Sequence, residues 1–186
     1  MTPRVLRAHG RRAVPWKNGG GTTREVAVAP VGAGTDDFDW RISLADVGVD
    51  GPFSAFPGVE RVLTVADGAG MDLTVGGERT LADRRYRPYA FPGDVPTEGR
   101  LLGGPVVNFN VMYRRDRIAC RTSVVRGEAA PEVPPGSTVV VVALDGTTAV
   151  GDMSLTLERY DAVLLDGPPG PLRTEGHTAV VVLRSL

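Results

Sequence analysis

Apolar and polar residues alternate along much of this chain with a period of two, the pattern of half-buried strands. Phe38, Trp40, Ile42 and Leu44 fall on one face of such a segment, with Asp39, Arg41, Ser43 and Ala45 on the other. Met71, Leu73 and Val75 alternate with Asp72 and Thr74. Val107, Phe109, Val111 and Tyr113 alternate with Val106, Asn108, Asn110 and Met112, and Met153, Leu155 and Leu157 repeat the pattern. Residues 139–144 and 179–183 are continuously apolar, as expected of strands buried on both faces. Turn signals separate these runs: Asp67-Gly68, Gly76-Gly77, Pro92-Gly93-Asp94, Asp145-Gly146 and Asp166-Gly167-Pro168. No long amphipathic helix is visible; one short helical turn near the termini is the most the pattern allows. The prediction is an all-β protein.

The pattern also repeats itself. Residues 65–68 end in Asp-Gly and lead to Met71-Asp72-Leu73-Thr74-Val75; residues 143–146 end in Asp-Gly and lead to Met153-Ser154-Leu155-Thr156-Leu157. Each half closes on Thr-Glu-Gly, at 97–99 and 174–176. The spacing is nearly constant at the two ends and longer at the methionines, which an insertion near 147–151 would explain. Self-similarity of this kind predicts two copies of one β-module, with Met71 and Met153 in matching core positions. The halves differ in content: unusual polar residues gather in the first, whereas the second is mostly Val, Leu, Gly and Pro.

Gly and Pro make up about 21% of the 186 residues, against roughly 12% on average. They are scattered between apolar runs, which favours many strands joined by turns over disorder. A net charge of −1 provides no basic footprint for nucleic acid and no polybasic membrane anchor. Cys120 is the single cysteine, so no intramolecular disulfide can form. Residues 1–10 lack an apolar run of signal-peptide length, and the expected location is the cytoplasm.

Little in the chain signals metal or nucleophilic chemistry. His9 and His177 lie near opposite ends and neither belongs to a spaced ligand pair, so neither a metal nor any other cofactor is expected. Cys120 has no histidine nearby and reads as a structural thiol. The segment Val14-Pro15-Trp16-Lys17-Asn18-Gly19-Gly20-Gly21-Thr22-Thr23 joins an aromatic face, a cation and an amide to three residues without side-chain walls. It suits either a ligand-binding turn or a tight entry to the first long strand. The loop 50–58 carries Phe53 and Phe56 and leads to Glu60-Arg61. Asn108, Asn110 and Met112 share one strand face, offering amide donors and acceptors to a ligand or to water. Arg41 and Ser43 lie opposite Trp40, so they are surface unless the strand is covered on both sides.

These same residues resemble the HutD/Ves family. The matching pieces are Trp16-Lys17-Asn18-Gly19-Gly20-Gly21-Thr22, Phe38-Asp39-Trp40-Arg41-Ile42-Ser43, Asp50-Gly51-Pro52-Phe53-Ser54, Phe56-Pro57-Gly58-Val59-Glu60-Arg61, and Gly104-Pro105 leading to Asn110-Val111-Met112, in family order over residues 14–113. The resemblance implies a double-stranded β-helix fold of two fused cupin-like barrels (a bicupin). The expected division is 1–115, carrying the ligand site, and 116–186, packed tightly as one unit. It also implies a link to histidine utilisation and, for some members, binding of formiminoglutamate. One position departs from the family pattern: Asn108 stands where an aspartate is expected, which removes a potential general base.

The expected function is metal-free binding of a small anionic, formiminoglutamate-like metabolite. Trp16 and Phe53 would wall the pocket; Lys17, Arg41 and Arg61 would meet carboxylates; Asn18, Asn108 and Asn110 would orient polar groups; Ser43 and Met112 would complete the lining. The alternatives are a metal-independent enzyme for a similar substrate, with Lys17 or a carboxylate as acid or base, and a protein-binding scaffold. The expected partner is the metabolite, with a homodimer admitted and neither nucleic acid nor membrane.

Overall fold

A computed structural model describes residues 3–186. All regular structure in them is β, and no helix, long or short, occurs among the described residues. The helical turn allowed near the termini is therefore absent there: Arg4–Leu6, which forms β1, and the C-terminal segment are both strands.

The chain divides into two compact units, one made of residues 12–117 and the other of residues 118–186 with the N-terminal segment. The boundary expected after residue 115 thus falls close to its place, but the first strand belongs to the second unit. The reason is local: β1 pairs antiparallel with residues 162–164, and Asp161 accepts hydrogen bonds from the Ala8 amide and the Arg7 guanidinium, both at 2.6 Å.

The first unit contains β2 (Ala13–Pro15), β3 (Gly21–Ala29), β4 (Trp40–Val47), β5 (Gly51–Pro52), β6 (Val59–Asp67), β7 (Met71–Val75), β8 (Glu78–Ala82), β9 (Pro88–Pro92), β10 (Thr97–Leu101) and β11 (Val106–Arg114). They form a six-stranded sheet in the order β2-β3-β4-β11-β6-β9 and a four-stranded sheet in the order β5-β10-β7-β8. Strand β11 sits centrally between β4 and β6, and its register fixes three rows across the sheet. Ala45, Asn108 and Val65 form the lowest, Ser43, Asn110 and Leu63 the next, and Arg41, Met112 and Arg61 the uppermost. The lower part of this face is apolar: Ala45, Val47, Leu63, Val65 and Val106 pack with Met71 and Leu73 of the smaller sheet. The opposite face of the same strands, with Trp40, Ile42, Leu44, Phe109 and Val111, is buried as well. Arg41 and Ser43 are therefore not on a solvent face.

The second unit adds β12 (Ile118–Ala129), β13 (Thr138–Asp145), β14 (Thr148–Val150), β15 (Leu155–Leu157), β16 (Ala162–Asp166) and β17 (Leu172–Ser185) to β1. Its pairing copies that of the first. β12 and β13 flank the C-terminal half of β17, as β4 and β6 flank β11. β16 pairs with β13 as β9 pairs with β6, and β14 joins β15 to the N-terminal half of β17, as β7 joins β8 to β10.

The repeat in the sequence matches this only in part. Both Asp-Gly pairs do end equivalent strands, β6 and β13, with Gly68 and Gly146 at positive φ. The two methionines, however, are not equivalent. Met71 opens β7 and is buried, whereas Met153 lies in the turn between β14 and β15. The residues read as an insertion, 147–151, contain β14 itself, so matching the methionines skipped a whole strand.

Candidate functional site

The inner face of the first unit's large sheet does not fill its interior. A cavity of about 820 Å³ remains, and all ten residues singled out from the sequence line it: Trp16, Lys17, Asn18, Arg41, Ser43, Phe53, Arg61, Asn108, Asn110 and Met112. They arrive from five places. Arg41 and Ser43 come from β4, Asn108, Asn110 and Met112 from β11, and Arg61 from β6. Trp16, Lys17 and Asn18 form the turn between β2 and β3, while Phe53 stands in the loop after β5.

The turn is built by its glycines. Gly19 has φ of +71°, and the Gly20 amide donates to Asn18 Oδ1 at 3.1 Å. A Cβ on Gly21 would lie 2.3 Å from the Asp46 carbonyl oxygen, so only glycine lets β3 start this close to β4. The triplet therefore shapes the entry to β3. The side chains it carries still face the cavity: the Trp16 indole, fixed by donating to Thr23 Oγ1 at 2.7 Å, and the exposed Lys17.

Arg61 is the unusual member. It is 8% exposed, and its guanidinium has no carboxylate partner among the described residues. Neighbouring Glu60 pairs instead with Arg115 at 3.0 Å. Among the described residues the only hydrogen bond of the Arg61 side chain runs to the Ser54 carbonyl at 3.3 Å, and its buried Nε finds no acceptor. Three rings surround the guanidinium carbon, Phe53 at 4.9 Å, Phe91 at 5.4 Å and Phe56 at 5.8 Å. Burial pushes its pKa down to about 10. As the third residue of β6 it is drawn in to a buried position. Gly93 makes this possible, since a Cβ there would come within 3.3 Å of Arg61 Cγ.

The other cations are arranged differently. Arg41 shares the Met112 row but holds Glu25 at 2.9 Å. Arg114, not singled out from the sequence, lines the mouth. It donates to the carbonyls of Asp36, Phe38 and Pro57, joining the loops before β4 and β6. Period two on β11 already put it on the Asn108–Met112 face. Phe91 left no such signal, because its place beside Arg61 depends on the β6–β9 register. Asn108 is buried, with Nδ2 donating to Met71 Sδ at 3.2 Å and Oδ1 without a partner; Asn110 Nδ2 donates to the Asn108 carbonyl at 3.4 Å.

The cavity lining contains no histidine or cysteine, and Asp36 is its one carboxylate. That donor set does not fit a first-row transition metal, which wants several imidazole, thiolate or carboxylate ligands. Elsewhere, burial raises the Cys120 thiol to about 11, which keeps it in the unreactive protonated form. His177 lies 3.6 Å from Asp145 in the second unit.

A family model described as HutD matches residues 8–182. A protein of Pseudomonas putida, described as an uncharacterized 21.2 kDa protein in the hutC 3' region, is 35% identical over 166 residues, 88% of this chain and 86% of its own. The solved structure of HutD from Pseudomonas fluorescens SBW25 is 35% identical, with a TM-score of 0.87 and both chains covered over 100%. The fold alone, at 8% identity, is shared with the nickel(II) complex of the bacterial pirin YhhW from Escherichia coli, with a TM-score of 0.67 over 100% of this chain and 99% of that one.

Proposed function

The chain belongs to the HutD family, and on that footing we propose that its first unit is a metal-free receptor for a small anionic metabolite of the formiminoglutamate type, through which the protein senses or governs histidine utilisation in the cytoplasm. In this reading both units are cupin-type barrels, and only the first is open for a ligand.

The observation that carries the reading is Arg61. A buried guanidinium without a counter-charge is costly, and three phenyl faces compensate it only in part. A carboxylate entering the cavity would meet its planar fork with two charge-assisted hydrogen bonds and replace the missing partner. Arg41, one row position away across Met112, lies two strand spacings from Arg61, roughly 10 Å between backbones. Both side chains can lean toward one dicarboxylate from that separation. Ser43 and Asn110, paired in the next row, supply neutral polar groups. A few polar groups in an otherwise walled cavity is the usual composition of a small-molecule site. The relative in the hutC 3' region ties the family to a histidine-utilisation locus.

A thermal-shift screen of histidine-breakdown intermediates and related mono- and dicarboxylates tests the proposal. A true ligand at a hundred times its Kd should stabilise the fold by about 2.7 kcal/mol, an easily read rise in Tm. A panel in which no acid shifts Tm would contradict it.

A further inference from the structure

The cavity is larger than the acid proposed for it. Its volume of about 820 Å³ lies in the upper part of the roughly 300–1,000 Å³ range that encloses drug-sized ligands. An amino dicarboxylate is far smaller.

The lining also divides into two parts. Arg61 and its rings belong to β6, the loop before it and the neighbouring β9. Trp16 and Lys17 follow β2, at the far end of the order β2-β3-β4-β11-β6. Phe53, whose ring lies 4.9 Å from the Arg61 guanidinium carbon, also lines a second small void together with Trp16, so an acid held at Arg61 that extends past Phe53 comes to the indole. The groups there suit a different part of a ligand. The Trp16 N–H is committed to Thr23, so the indole offers the cavity apolar ring surface. Lys17 makes no ion pair among the described residues and is exposed at the cavity edge.

We propose that Trp16 and Lys17 form an outer subsite, and that the preferred ligand is an acid bearing a flat aromatic body. Its carboxylate sits on Arg61, its ring lies along Trp16, and a second negative charge faces Lys17. The inference rests on the reading of Arg61 as the anion contact and adds the class of the attached group.

N-benzoylglutamate and glutamate are suitable probes, titrated by calorimetry into the whole protein, with tryptophan fluorescence recorded in parallel. The other indole, Trp40, is buried on the opposite face of β4 and outside the cavity, so a spectral change reports on Trp16. The expected result is about tenfold tighter binding of N-benzoylglutamate than of glutamate, as ring stacking predicts. Trp16→Leu should remove most of that advantage, and Lys17→Ala should weaken N-benzoylglutamate more than glutamate. Lys17→Ala carries the test should Trp16→Leu fail to fold. Glutamate binding with no gain from the benzoyl group overturns the outer subsite alone, as does a gain that survives both substitutions. Failure of both compounds to bind overturns it together with the Arg61 reading.

Discussion

Arg61 shows how one side chain can be stabilised in part and still be incomplete. Its stem lies over Gly93, its head is ringed by Phe53, Phe56 and Phe91, and its charge is unmatched among the described residues. Because burial lowers its pKa from the ordinary guanidinium value to about 10, the charged form is disfavoured by folding, at a cost on the order of 3 kcal/mol. This cost is fully present below about pH 10 and fades only as pH rises toward the ordinary guanidinium range, so it does not vary across the neutral range. Replacing Arg61 with methionine, which keeps ring contacts through its sulfur, should leave stability without ligand unchanged or raised by up to about 3 kcal/mol. Urea denaturation of Arg61→Met checks this, and a loss above about 1 kcal/mol would mean that the free protein already satisfies the guanidinium. The sequence marked Arg61 as a cation that follows the loop carrying Phe53 and Phe56. It did not reveal the depth of the residue, because that depends on Gly93 and Phe91, which are near Arg61 only through strand pairing.

The strands were legible wherever alternation was strong. Residues 71–75 are strand β7, and the alternating runs around Trp40 and Phe109 are β4 and β11. The Gly-Gly-Gly turn was ambiguous in sequence, because close backbone approach is required both by a tight strand entry and by a bound ligand. The structure makes it the entry, with cavity-facing side chains mounted on it. Gly21→Ala should therefore cost about 1–3 kcal/mol by forcing β3 away from Asp46, measurable as a lower urea midpoint with an unchanged m-value. At the other end of the chain, β1 is held through Asp161. Burial alone would raise that carboxyl, but the Ala8 amide, the Arg7 guanidinium and the Glu158 amide together hold it below its ordinary value. Its contribution is present above the ordinary aspartate pKa and is lost as pH falls through the lowered one. Asp161→Asn should destabilise by about 1–3 kcal/mol at neutral pH, with a smaller difference from wild type in strong acid. Hydrogen exchange at the β1 amides that donate to β16 would localise the loss to β1.

At the scale of the molecule, one pairing scheme is used twice with different interiors. In the second unit, Val139, Val141, Val150, Leu157, Val163, Leu172, Val180 and Val182 close on one another as a continuous apolar core. In the first, the matching central strands carry Arg61, Asn108, Asn110 and Met112 around open space. The contrast between a polar first half and an apolar second half was visible in the sequence. The register of the repeat was not, because matches built from Asp-Gly and Thr-Glu-Gly do not fix which residues pair. Met71 was thus assigned its core position correctly, and Met153 was given a position it does not hold. Arg41, Ser43, Asn108, Asn110 and Met112 line one cavity because they share strand faces that period two exposes, whereas the placement of β1 depends on pairing with residues far along the chain. What the open unit binds is decided most directly by calorimetric titration of formiminoglutamate and glutamate into wild type and Arg61→Lys. The account predicts binding by wild type and a loss of about 1–3 kcal/mol of affinity in the variant with its fold intact, because a point charge replaces a bidentate fork. Equal affinities for the two proteins, or no binding of either acid by wild type, would contradict it.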